Sequence, residues 1–116
     1  EHGVARSGPG EDSEPGRFPQ VSGLKFSYDP RKPAGSRVVS LTVGGQPVDD
    51  SKIYTLATSD FLVSRGGDGY TMFKDAKVVS AAANAPKDSD AFEAAIKNAP
   101  NSTISPVVEG RIVRVN

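Results

Sequence analysis

Apolar and polar residues alternate through much of the first half of the chain. The stretch from Phe18 to Tyr28 carries apolar residues at Phe18, Leu24, Phe26 and Tyr28, partly alternating with polar ones, which predicts a strand with a bulge or bend at Gly23. Asp29-Pro30, followed by Arg31-Lys32-Pro33-Ala34-Gly35, predicts a turn or short loop. Arg37 to Val43 is β-branched and alternating, a second strand. Gly44-Gly45 supplies the residues of a tight turn, and Lys52 to Thr58 (KIYTLAT) repeats the strand pattern. Three strands in quick succession imply an antiparallel meander.

The second half reads differently. Phe61 to Tyr70 ends in a glycine-rich turn, with a short helical piece at Thr71 to Lys74 and a loop over residues 80–88. Asp90 to Asn98 predicts a helix: Phe92, Ala95 and Ile96 share one face, Asp90 and Glu93 have capping-box spacing, and Pro100 ends it. Gly110 to Val115 closes the chain as a final strand. Residues 1–17, rich in Gly, Pro and acidic side chains, read as a flexible lead-in to a domain over 18–116. The expected class is α+β, with a mixed, largely antiparallel sheet of about five strands and one or two helices.

Composition narrows the function. The 116 residues suffice for one modest core. Fourteen basic and fourteen acidic residues cancel, which argues against nucleic-acid polymers as partners but leaves room for one bound nucleotide. No cysteine is present for a thiolate nucleophile or a Cys-type metal site, and no apolar run is long enough for a membrane span. The single histidine, His2, lies in the lead-in. One such residue makes neither a multi-ligand metal centre nor a Ser-His-Asp arrangement, so no catalytic and no metal-binding residue is expected here.

Three features remain as binding candidates. The loop Gly66-Gly67-Asp68-Gly69-Tyr70 lets backbone approach a ligand closely, and Asp68 can accept hydrogen bonds from paired hydroxyls. A tight turn whose aspartate binds its own backbone fits the same pattern. Its acidic centre, with no Gly-Lys-Ser/Thr after it, excludes a P-loop. Phe18, where order is expected to begin, and Phe61, expected at a strand end before the glycine loop, are either core residues or faces for stacking a base. Pattern alone leaves both roles open.

A set of segments in order then resembles a known family. Phe18-Pro19-Gln20-Val21-Ser22-Gly23-Leu24, Gly35-Ser36-Arg37-Val38, Tyr54 with Asp60-Phe61-Leu62, the 66–70 loop, and Glu109-Gly110-Arg111-Ile112 are similar to the C-terminal domain of 5'-nucleotidases. The opening Glu1-His2-Gly3-Val4 resembles the tail of a helix preceding the first of these strands. Each motif is weak alone; five in sequence with similar spacing are specific. The resemblance implies part of the 5'-nucleotidase C-terminal domain fold, acting as the substrate-binding domain beside an N-terminal metallophosphoesterase domain of the same polypeptide. It implies a nucleotide or nucleoside ligand, with the base stacked between Phe18 and Phe61 and the ribose hydroxyls held by Asp68 within Gly66, Gly67 and Gly69.

The same resemblance implies two divalent metal ions in the N-terminal domain and no cofactor in this segment. The expected parent is a secreted, periplasmic or cell-surface 5'-nucleotidase hydrolysing nucleoside 5'-phosphates, with this segment alone not catalytic. A 2',3'-cyclic nucleotide phosphodiesterase with 3'-nucleotidase activity shares that architecture. A non-catalytic nucleotide-binding or surface module is the alternative of another class. Two departures stand out. Phe61 to Asp68 is one residue longer than the usual form, with Arg65 as the extra residue, and the first half of the family's domain, with its arginines and asparagine, has no counterpart in these residues.

Overall fold

The structure is a computed structural model that describes residues 1–8, 16–80 and 84–116. The middle of the expected lead-in (9–15) and part of the expected loop over 80–88 (81–83) lie outside the described residues. Two compact units are present: Glu1–Thr55 with Val108–Asn116, and Leu56–Val107.

The first unit is built on a four-stranded sheet in the order β3-β2-β1-β4, from β1 (Leu24–Tyr28), β2 (Val38–Val43), β3 (Gln46–Pro47) and β4 (Ile112–Arg114). β1 pairs antiparallel with β2, Leu24 opposite Val43 and Phe26 opposite Leu41, with an irregularity between Ser27 and Tyr28. β2 turns through Gly44-Gly45 and pairs antiparallel with β3. β4 adds to the other edge of β1 in parallel, Phe26 opposite Ile112. The alternation in β1 points Phe26 and Tyr28 to one face, where both are buried. Phe18, Val21, Leu24, Val38, Leu41 and Ile112 pack around them, so the predicted strand residues do supply this core.

The start of the chain joins that core. Residues His2–Val4 form a 3-10 turn, and Val4 is 1% exposed, packed with Phe26 and Tyr28. The Glu1 carboxylate accepts hydrogen bonds from the backbone N–H groups of Arg37 (3.0 Å) and Val38 (2.7 Å). Arg37, itself buried, donates Nη1 to the carbonyls of Val4 and Ala5 and Nε to that of Lys32. Carbonyls withdrawn from water need partners, and this guanidinium serves three, one buried at Val4 and two part-buried at Ala5 and Lys32. The opening residues of the expected lead-in are therefore stitched to the sheet.

The β1–β2 connection is a turn, as expected, and Asp29 organises it. Its Oδ1 accepts from the Arg31 N–H (3.0 Å) and Nε (3.3 Å), and its Oδ2 from Arg31 Nη2 (3.3 Å) and Asn116 Nδ2 (3.4 Å). Hydrogen bonds from the Arg31 side chain, and then from its backbone, lower the Asp29 pKa from 3.8 to about 2.

The sheet has four strands rather than about five, because Lys52 to Thr58 forms none. A tight turn intervenes: Asp49 Oδ1 accepts from the N–H and hydroxyl of Ser51, and the Lys52 N–H bonds the Asp49 carbonyl. Pro47 offers no N–H on β3, and the run beyond the turn is exposed, with Ile53 and Leu56 facing outward.

The second unit holds two helices, α1 (Asp60–Arg65) and α2 (Asp88–Asn98), with short 3-10 turns at Gly67–Gly69, Thr71–Phe73 and Pro100–Ser102. α2 starts two residues before the predicted Asp90, because Lys87 is the extended cap and Asp88 opens the first turn. Asp90 thus lies inside the helix instead of capping it. Pro100 ends it as predicted, and Glu93 pairs with Lys97 across one turn. Of the predicted apolar face only Ile96 is partly buried, while Phe92 is exposed. The class is α+β with a mixed, largely antiparallel sheet.

Replacing Arg37 with Ala should destabilise the first unit by on the order of 3 kcal/mol, since buried carbonyls lose a charged donor. Urea unfolding of the variant checks it. The depressed pKa of Asp29 means its contribution to stability is fully present above about pH 4 and is lost as pH falls through about 2. An acid titration of unfolding should therefore be flatter between those values in Asp29→Asn.

Candidate functional site

Five of the six expected binding residues come together in the second unit. α1 is a single short turn-and-a-half, opened by Ser59 in an extended conformation and closed by Gly66 in the left-handed region (φ 60°, ψ 33°). The acid at Asp60 and the base at Arg65 match the helix dipole, and the Asp60 carboxylate accepts from the Ser64 hydroxyl. The Gly66 N–H returns to the Phe61 carbonyl. A residue with a Cβ is disfavoured in that conformation, so glycine here is a backbone requirement. Arg65, the extra residue, is absorbed as the last residue of α1.

The loop then folds tightly. The Gly69 N–H bonds the Gly66 carbonyl (3.1 Å), and the Tyr70 N–H bonds that of Gly67 (3.0 Å). Between them Asp68 has positive φ (52°), a conformation that Asp tolerates better than most residues. Its side chain is on the exposed surface of the loop.

Phe61 lies in the first turn of α1, not at a strand end. The segment from Asp60 is short and charged at each end, and it takes helical conformation, so Phe61 does not sit at the end of the strand expected over Lys52 to Thr58. Phe61 is 51% exposed, and its ring lies directly against Gly67, where a Cβ would overlap the ring carbons Cδ1, Cε1 and Cζ. Phe61 is thus a half-open aromatic face seated on the glycine loop beside Asp68.

Phe18 belongs to the first unit. It is partly buried, with its ring edge-on to Tyr28 at 5.6 Å between centroids and 61° between planes. It packs against the core and keeps part of its surface open.

One feature was missed from sequence. Tyr70 and Phe73 stack in parallel, centroids 6.0 Å apart and planes within 5°. The available signal was spacing: residues three apart eclipse one another in a 3-10 turn, and Thr71–Phe73 forms one.

The first unit also holds an open cleft of about 340 Å³, bordered by Gly23, Gly44, Gly45, Lys25 and Arg111. There Arg111 Nη1 donates to the Val21 carbonyl (2.6 Å) and Nε pairs with Glu109 (2.9 Å). None of the six expected binding residues borders it. Among the described residues no three His, Cys, Asp or Glu side chains converge, so these residues do not fit as ligands of a divalent metal pair. No helix of the described residues is long and apolar enough to cross a membrane.

With the geometry in place, the comparisons with known proteins are specific. Residues 5–75 match the family model described as 5'-nucleotidase, C-terminal domain. A 5'-nucleotidase of Diplobatis ommata is 33% identical over 123 aligned residues, covering 99% of this chain and 20% of that protein. A snake venom 5'-nucleotidase of Gloydius brevicauda is 43% identical over 82 residues, covering 64% of this chain and 13% of the relative. Among solved structures, a 5'-nucleotidase precursor from Thermus thermophilus superposes with a TM-score of 0.62 at 30% identity, over 87% of this chain and 20% of that one. The chain spans a fifth or less of the length of each.

At Gly66 a Cβ has ordinary room, its nearest neighbour being Thr71 Cγ2 at 3.7 Å. Gly66→Ala should therefore cost only the left-handed backbone penalty, about 1–2 kcal/mol, read as lowered stability of the second unit in thermal unfolding.

Proposed function

Because the chain belongs to the 5'-nucleotidase family, through its C-terminal domain, we propose that it recognises the base and ribose of a nucleotide for a hydrolase of nucleoside 5'-phosphates. The observation that carries this reading is the half-open ring of Phe61 seated on Gly67 beside the exposed Asp68. A flat base stacked on such a ring gains about 1–3 kcal/mol. The carboxylate of Asp68, one loop position away, is an acceptor for the paired hydroxyls of a ribose. Phe18 is assigned the same stacking role on the first unit, with its Tyr28 contact fixing the ring. Gly66 and Gly69 shape the loop that carries Asp68.

Bond breaking is assigned to an N-terminal metallophosphoesterase domain of the same polypeptide. A divalent metal pair, when bound there, supplies an activated water and a polarised phosphate. What this chain's residues contribute is orientation. Binding energy gained at the base and ribose, far from the reacting phosphorus, holds the phosphate in place for attack. The venom relative supports an exported parent enzyme.

Adenosine titrated into the chain should shift the NMR signals of Phe61, Gly67 and Asp68. In the enzyme that carries this domain, Phe61→Ala should raise KM for AMP by roughly tenfold or more, in line with the loss of one stacked face. A minimal phosphate ester should be hydrolysed as before. Equal losses on both substrates would overturn the reading.

A further inference from the structure

The three glycines of the loop do not share one reason for being glycine. Gly66 and Gly69 have positive φ, whereas Gly67 does not. Its backbone would accept an ordinary residue. Gly67 is nonetheless buried, and the space a Cβ would take is filled by three carbons of the Phe61 ring. The neighbours of a Cβ at Gly66, by contrast, are at ordinary distance.

We infer that Gly67 is a positioning residue: its missing side chain is the seat that fixes the Phe61 ring against the loop carrying Asp68. This rests on the reading of Phe61 as the base-stacking face and adds what sets that face. The ring is attached to the first turn of α1, and the Gly66 N–H that closes the helix bonds the Phe61 carbonyl. The backbone of Phe61 is thereby held from the loop side, and the ring is left with rotation about its side-chain torsions. Gly67 selects among those rotamers by admitting the ring at one place. A methyl group at position 67 would turn the ring away from Asp68 and separate the stacking face from the hydroxyl acceptor. Gly67 needs no contact with the ligand to do this.

The test is a double-mutant cycle in the full chain, with adenosine as the probe and NMR as the readout. Gly67→Ala should weaken adenosine binding about tenfold. The same substitution made on a Phe61→Leu background should change it less than twofold, because the group being positioned is gone. Without ligand, the Gly67 Hα signal should move in Phe61→Leu, as the ring current at that proton is lost. Equal weakening by Gly67→Ala in both backgrounds would overturn the inference, since Gly67 would then act on the ligand or the loop directly. An unmoved Gly67 Hα signal would overturn it as well.

Two further outcomes separate the inference from the reading beneath it. If Phe61→Leu weakens adenosine but Gly67→Ala does not, the stacking role of Phe61 stands and the positioning role of Gly67 falls. If Phe61→Leu binds adenosine as the unaltered chain does, both fall. Should Gly67→Ala unfold the second unit, refolding of the Gly67→Ala, Phe61→Leu double variant would support the seat, and failure of that variant to fold would sink it.

Discussion

The first unit depends on the hydrogen bonding of one strand on both its edges. β1 is paired antiparallel to β2 and parallel to β4, and it carries two of the three buried apolar residues of the core. With both ladders filled, its backbone polar groups are satisfied and Phe26 and Tyr28 can be withdrawn from water together. The third buried residue, Val4, comes from the chain's start and is held there by polar clamps instead of by a strand. Arg37 and Glu1 work in opposite senses in that clamp. The guanidinium donates to the carbonyls of the incoming segment, and the carboxylate accepts from the amides of Arg37 and Val38, where β2 begins. Apolar burial and polar satisfaction therefore meet on the same few residues.

Much of this was legible because it is local. Alternation of apolar and polar residues marks β1, β-branched alternation marks β2, and the final strand follows from Ile112 to Arg114 in the same way as β2. The clamp at the start was not legible. The partners that tie it to the sheet are 32 to 37 positions apart, and a stretch rich in Gly, Pro and acid looks unstructured to any short window. Lys52 to Thr58 failed for the reverse reason. Its alternation records a surface suited to burial, but pairing needs a neighbouring ladder, and the Asp49 turn leads the run away from β3. In α2 the period and the stop at Pro100 were readable, while the start lies two residues before Asp90, after the extended Lys87.

The candidate site divides along the same line. Three glycines around an aspartate were visible as a loop, but their separate reasons were not. Positive φ at Gly66 follows from a helix ending, and that helix has six residues, too few to show a period. Close approach at Gly67 follows from a ring six positions earlier. The choice between core and ligand face for Phe61 also turned out to be incomplete, since one side of the ring is packed and much of it is open. Phe18 is similar, with an edge on Tyr28 and the remainder partly exposed. An aromatic that is anchored on one side loses little freedom when a second flat group is laid on the other, which favours binding.

The parallel pairing of β4 with β1 has a consequence for synthesis. Ile112 meets Phe26 only after the whole of 56–107 has been made. The β1–β2 hairpin is local and forms early, yet one edge of β1 must wait, with its amides and carbonyls unpaired, until residues 112–114 emerge from the ribosome. During that interval the nascent sheet is a template for any other extended chain nearby. The order in which the strands are translated thus makes the central strand of the finished sheet its most vulnerable edge while the chain is still being made.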